Sequence, residues 1–249
     1  VQIYATITNY NEYRRVEGRE TEASHERAMR LLHLYYSAAD RAIDGSAAQR
    51  VDFHSGRVHA VVLERGIKGV TSETLAEAFA SIDDFRLIAD AANRELAGGE
   101  FDVSFRIGVD VGTCVAINNG TGCEQEPMFL GRPANHAAKL AFGDEPGVYI
   151  SDRARAVLGL PQAGPLSEFL SLSNQEVVDK SARRDVGGQL VFGAQSRGNY
   201  TKRVVESWRD EVRRGDLPDF TDPSFQFSHK QPPLSEIDYA ELQPSRSIR

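Results

Sequence analysis

Val1, Ile3, Ala5 and Ile7 alternate with Gln2, Tyr4, Thr6 and Thr8, the period of two that a strand with one buried face requires. After a polar stretch the period lengthens. Ala28, Leu32, Tyr35, Ala39 and Ala42 recur at helical spacing and predict an amphipathic helix over 21–43, ended by Gly45-Ser46. Residues 50–53 and 57–64 predict short strands, with Ser55-Gly56 as the tight turn of a hairpin. The stripe Leu75, Ala78, Ile82, Phe85, Ala89, Ala92 and Leu96 predicts a second helix over 71–96. Thr71 or Ser72 can cap it, and Gly98-Gly99 stops it. Phe101, Val103, Phe105, Ile107, Val109 and Val111 then alternate with mostly polar residues as the cleanest strand in the chain, and 113–117 predicts another after Gly112.

The order strand, helix, strand, strand, helix, strand is an α+β plan of the ferredoxin-like βαββαβ kind: an antiparallel sheet with helices on one face. A loop containing Gly and Glu follows. Short elements are then expected at 132–142 (helix), 147–150 (strand) and 152–158 (helix, capped by Ser151). Residues 1–165 thus form one domain, and 166–215 a mostly helical extension, strongly charged over 199–214. From 216 to 249, Pro218, Pro223, Pro232, Pro233 and Pro244 punctuate a stretch with little periodicity, expected to be an arm or linker that orders only against another surface.

Composition narrows the function classes. The 249 residues carry 29 Lys+Arg against 36 Asp+Glu, a net charge of −7, and 41% are hydrophobic. Such a chain can bury a substantial core, and its acidic balance argues against a nucleic-acid footprint. No apolar run approaches the roughly 18 residues of a membrane span. Two cysteines make no disulfide framework, which fits a cytoplasmic location. There is no phosphate loop of the G-x-x-x-x-G-K-[ST] type, no H-E-x-x-H and no C-x-x-C. Six histidines are scattered, and strand alternation is expected to place His54 and His59 on opposite faces. Asp110, between Gly108 and Gly112, is a catalytic candidate, although a turn role is the more ordinary one.

The stretch 105–140 carries a more specific signal. FRIGVDVGTCVAINNGTG followed by PMFLGRPANHAAKL resembles the class III nucleotidyl cyclases, the adenylate and guanylate cyclase catalytic domains. In that family an I-G-x-x-x-G strand end precedes a hairpin, and G-x-x-x-N-x-A-x-[RK]-L opens a helix. Gly131, Asn135, Ala137, Lys139 and Leu140 fill the second pattern. The similarity spans roughly 1–158. The form G-R-P-A-N-H-A-A-K-L, and Gly56-Arg57-Val58 before an apolar strand, resemble the pyrimidine cyclases of bacterial Pycsar anti-phage defence, which make cyclic CMP or cyclic UMP for a separate effector.

What the resemblance implies is a ribose 3′-oxygen attacking the α-phosphorus of a pyrimidine nucleoside triphosphate and expelling pyrophosphate. Two divalent cations, Mn2+ or Mg2+, are held by two aspartates of one domain, while an asparagine and a cationic residue come from the other. On this sequence Asn135 would hold the ribose and Lys139 the phosphates, with Phe53 and Arg57 as nucleotide-binding candidates. Phe53 would stack on the base, although a core role fits it equally. Thr6 and Gly56 stand where the two metal aspartates belong, and neither supplies an anionic oxygen. Asp52 and Met128 replace the base-reading lysine and aspartate of adenylate cyclases, and Asp52 is not expected to rescue the metal site. The expectation is a metal-less half, inactive alone, that serves a second cyclase domain with the cations held by that partner. The second domain is expected either on another chain or beyond Arg249 in a tandem protein. The alternative is a regulatory or sensing pseudocyclase. Neither reading calls for nucleic-acid or membrane partners, or for direct contact with the effector.

Overall fold

The computed structural model describes residues 1–64, 69–119, 126–162, 164, 166–181 and 194–215. The expected arm over 216–249 lies outside the described residues. The described elements are β1 (Gln2–Ile7), α1 (Tyr10–Arg14), α2 (Glu22–Asp44), β2 (Ala48–His54), β3 (Arg57–Val62), α3 (Ser72–Leu96), β4 (Phe105–Asp110), β5 (Val115–Asn119) and β6 (Glu126–Leu130). After these come α4 (Arg132–Leu140), β7 (Gly147–Ile150), α5 (Asp152–Val157), a 3-10 turn (Leu166–Phe169), α6 (Asn174–Lys180) and α7 (Ala194–Arg213).

The main sheet has the order β2-β3-β1-β4-β7. Its first four strands are antiparallel neighbours, as the βαββαβ plan requires. β7 adds to the edge parallel to β4, so the sheet is mixed rather than purely antiparallel. Ile3, Ala5, Ile7, Ile107 and Val109 point to one face, where α2 and α3 cover them with Leu31, Leu34, Ala38, Leu75, Phe79 and Ile88. Each fully buried leucine, isoleucine or phenylalanine there contributes about 1.5–3 kcal/mol. Helix α2 starts at a capping box in which Thr21 and Ser24 exchange hydrogen bonds, and Thr71 rather than Ser72 caps α3.

The extension is continuous with this core. Val205 and Trp208 of α7 are buried in the same cluster, and the Arg41 guanidinium lies 4.3 Å over the Trp208 ring. Leu172 bridges to Val148 and covers the outer edge of β7. The expected strand over 101–111 contracts to Phe105–Asp110 because side chains take the earlier backbone groups: Asn93 pairs with Phe101, while Asn9 and Tyr13 both donate to the Asp102 carbonyl at 2.7 Å. No described helix is long and apolar enough to cross a membrane.

Candidate functional site

The second face of the sheet, open where the first is covered by α2 and α3, carries Gln2, Tyr4 and Thr6 of β1, His59 and Arg57 of β3, and Arg106, Gly108 and Asp110 of β4. At its hairpin end Thr6 is the register partner of both Arg57 and Arg106, and the Ile7 N–H donates to the Gly56 carbonyl at 3.0 Å. Thr6 and Gly56 therefore do meet at one spot. What they bring is a hydroxyl and a bare backbone beside Arg57, because the Arg106 guanidinium is turned to the Leu140 and Glu145 carbonyls and the Tyr149 ring. Such a donor set does not fit a divalent cation, which needs anionic oxygens and is repelled by guanidinium groups. The turn itself is closed to a larger residue. Gly56 has φ +76°, and a Cβ there would lie 3.2 Å from Cγ of Tyr10. Among the described residues no group of three or more His, Cys, Asp or Glu side chains is placed to hold a metal.

Helix α4 lies across the other end of the open face. Gly108 makes this approach possible, since a Cβ on it would fall 2.1 Å from the Ala137 carbonyl and 2.6 Å from the Ala141 nitrogen. Pro133, Ala134, Ala137 and Leu140 face the sheet, leaving Asn135 and Lys139 exposed four residues apart on the outer side. An amide that can hold a hydroxyl and an ammonium that can meet phosphate oxygens thus project together. Arg106 fixes the far end of the helix: its Nε donates to the Leu140 carbonyl at 2.8 Å, and its guanidinium sits 3.6 Å over the Tyr149 ring.

Asp110 has no exposed surface, and its carboxylate is fully engaged. It accepts from the Val111 N–H at 2.7 Å, from the Ser151 hydroxyl, from Arg153 and from Nδ1 of His136 at 3.0 Å. With four donors in place this carboxylate anchors structure and has no lone pair left for chemistry on a substrate. The Nε2 of His136 reaches Glu168 at 3.0 Å, and Glu168 also accepts from the Asp152 N–H. The motif points to Asn135 and Lys139 and not to this network, whose members are distant in sequence. Its one local signal is a histidine set among alanines beside them.

The remaining candidates separate. Phe53 lies on the helix-covered face, 5.4 Å from the Tyr36 ring and under the Arg50 guanidinium, away from Arg57. Asp52 is on the open face two strands from β1 and is taken by His54 at 2.7 Å. His54 and His59 share a face, contrary to expectation. Simple alternation does not carry through a two-residue turn, because His54 pairs with Arg57 while His59 pairs with Asp52. They do not form a pair, however. His59 is buried, stacks on Tyr4 at 4.0 Å and donates from Nε2 to Gln2. Burial holds its pKa down at about 4, so it is neutral near pH 7. Met128 faces Ile117 across the β5–β6 hairpin, where Val115, Ile117 and Leu130 are exposed. A large cleft of about 1200 Å³ lies elsewhere, between α2, α3 and α7. Asp40, Asp44, Glu64, Glu73 and Glu77 line it, a rim that repels a polyphosphate.

No family model matches the chain. The chain is 38% identical over 250 residues to a uridylate cyclase of a Rhizobium species, and 31% identical over 258 residues to a uridylate cyclase of Pseudomonas aeruginosa. Both matches take in all of this chain but only 47% and 46% of those proteins, so the chain spans about half the length of the curated relatives it matches. A class III adenylyl cyclase-like ATP-binding protein from Pseudomonas aeruginosa superposes with a TM-score of 0.71 at 28% identity, over 98% of this chain and 48% of that one. With the strand order, the hairpin and the helix after Gly131 all in place, the chain has the class III nucleotidyl cyclase fold.

Proposed function

We propose that this chain is one half of a pyrimidine nucleotide cyclase that converts UTP to cyclic UMP and pyrophosphate, and that it lends Asn135 and Lys139 to a site completed by a second cyclase domain. The observation that carries this reading is the division of the open face. Helix α4 presents an amide and an ammonium together, while the hairpin end offers Thr6, Gly56 and Arg57 where anionic oxygens are needed. In this reading the divalent cations are held by the partner domain. The relatives named for uridylate, each about twice this chain's length, leave room for such a domain and supply the choice of UTP. A role in anti-phage defence, with the cyclic nucleotide acting on a separate effector, rests on the sequence resemblance.

The chemistry asked of this chain is modest and specific. Ring closure needs the ribose 3′-oxygen in line with the departing pyrophosphate, and the Asn135 amide can fix the sugar for that approach. Charge on the α-phosphoryl oxygens then meets the Lys139 ammonium, a single mobile point charge rather than a bidentate guanidinium.

The test is Lys139→Ala in the intact protein with UTP and Mn2+. Turnover should fall about 100-fold, the loss typical of a missing transition-state charge, with the fold unchanged. Unaltered turnover accompanied by altered regulation would instead identify a sensing pseudocyclase, the reading that the lack of carboxylates at Thr6 and Gly56 also favours.

A further inference from the structure

If α4 serves catalysis, its value lies in where it aims Asn135 and Lys139, yet its buried stripe is poorly suited to fixing that aim. In the buried stripe Ala137, Leu140 and Ala141 close on Gly108 and Pro133 on Gly112, and with Leu140 as its one long side chain the stripe offers few interlocking knobs against rotation about the helix axis. A rotation of roughly 10° moves a side-chain tip ~8 Å from the axis by about 1.4 Å, a misplacement on the scale that costs about 100-fold in rate.

Polar contacts resist that rotation. Arg106 holds the C-terminal end through the Leu140 carbonyl. At the middle of the helix His136 is gripped from both sides, with Nδ1 3.0 Å from Asp110 and Nε2 3.0 Å from Glu168. Both carboxylates are anchored on other elements: Asp110 through Val111, Ser151 and Arg153, and Glu168 through the Asp152 N–H. A ring whose two nitrogens each face a carboxylate oxygen satisfies both only when both carry protons. Charge agrees, since two carboxylates against the one Arg153 guanidinium leave a single negative charge for an imidazolium to cancel. On α4 itself Arg132 lies one turn before the ring and Lys139 nearly one turn after it.

We infer that His136 is a positioning residue: an imidazolium clamped between Asp110 and Glu168 that fixes the rotation of α4 and so the aim of Asn135 and Lys139. The inference rests on the proposed catalytic role of α4. It also gives the 166–169 turn a task, because Glu168 ties the extension to the site.

The experiment uses the intact protein with UTP and Mn2+. His136→Gln should lower kcat about tenfold while changing KM little. In a Lys139→Ala background the same substitution should cost clearly less than tenfold, because the part of its effect that acts through the lysine is already lost. Additive losses, or an unchanged kcat, would overturn the inference. The 15N spectrum of the histidine-labelled protein, with His136 assigned by its loss in His136→Gln, should show both ring nitrogens protonated at neutral pH. A neutral ring would equally overturn it, whether or not the variant folds. Should Lys139→Ala alone leave turnover intact, the catalytic reading of α4 fails, while the 15N spectrum still decides the clamp.

Discussion

At the hairpin end of the open face the polar groups meet solvent. Arg57 is exposed, and Asp52 and His54 pair at 2.7 Å with 52% and 60% of their side chains accessible. Beneath α4 the arrangement is reversed: Asp110 has no accessible surface and receives four hydrogen bonds, from α4, from the start of α5 and from its own chain neighbour. Ion pairs of the first kind are worth under about 1 kcal/mol, whereas removing one partner from a buried pair costs about 3–5 kcal/mol. The fold therefore concentrates its polar order beneath the helix that carries Asn135 and Lys139, and invests little where a cation site would have to be built. The largest expected effect follows from this contrast. Asp110→Ala should lose about 3–5 kcal/mol in a urea titration, and Asp52→Ala less than about 1 kcal/mol. Comparable losses at the two positions would erase the distinction.

A second difference lies in how charge is avoided on the hairpin side. His59, stacked on Tyr4 and buried, is neutral with a pKa of about 4, against about 6.5 in the unfolded chain. The unfolded state therefore binds the extra proton first, and stability falls as the pH drops from 6.5 towards 4, levelling off below that. The span corresponds to a loss of about 3 kcal/mol. Denaturation midpoints followed across this window should slope for the native chain and flatten for His59→Asn. An unchanged slope in the variant would place the acid sensitivity elsewhere.

Next in size is Gly108→Ala, where the added methyl meets the backbone of α4 rather than a yielding side chain. A loss of about 1–3 kcal/mol is expected, with a further loss of turnover as Asn135 and Lys139 are pushed outward. A fully active, equally stable variant would mean that α4 is not held by this approach.

Much of the fold was legible because its two long helices and first strands repeat without interruption. The stripe from Leu75 to Leu96 and the alternation from Val1 to Ile7 each bury the face they predict. Helix α1 was not, since five residues burying only Tyr13 leave no period to read. β6 was not either: Pro127 weakens the strand pattern, and its partner β5 supplies the pairing. The second covered face escaped for a different reason. Gly108 falls among the alternate, polar positions of β4, and only the packing shows it to be the seat of α4. In the site, Asn135 and Lys139 lie within one short motif. Asp110, His136, Arg153 and Glu168 become neighbours only through tertiary structure, and the isolated carboxylate reads more readily as a turn residue than as a catalytic one.

The smallest expected change, at Thr6, belongs to the most direct attack on the comparison, which attempts to make the hairpin end resemble a cation site. The two positions will not accept carboxylates equally. Thr6→Asp enters a half-buried strand position between Arg57 and Arg106 and should change stability by no more than about 0.5 kcal/mol. Gly56→Asp forces an L residue into φ +76° and a Cβ onto the Tyr10 ring, and should cost about 1–2 kcal/mol. In the double variant without metal the carboxylates also repel each other, partly offset by Arg57. If Thr6 and Gly56 stand where a cation would be caged, Mn2+ should restore stability in the double variant by RT ln(1 + [Mn2+]/Kd), about 2–3 kcal/mol at a hundredfold excess over Kd, and do nothing to the native chain. A folded double variant indifferent to Mn2+ would mean that the two side chains do not converge. The contrast between the ends of the face would then be one of packing alone, not of a cation site replaced by threonine and glycine.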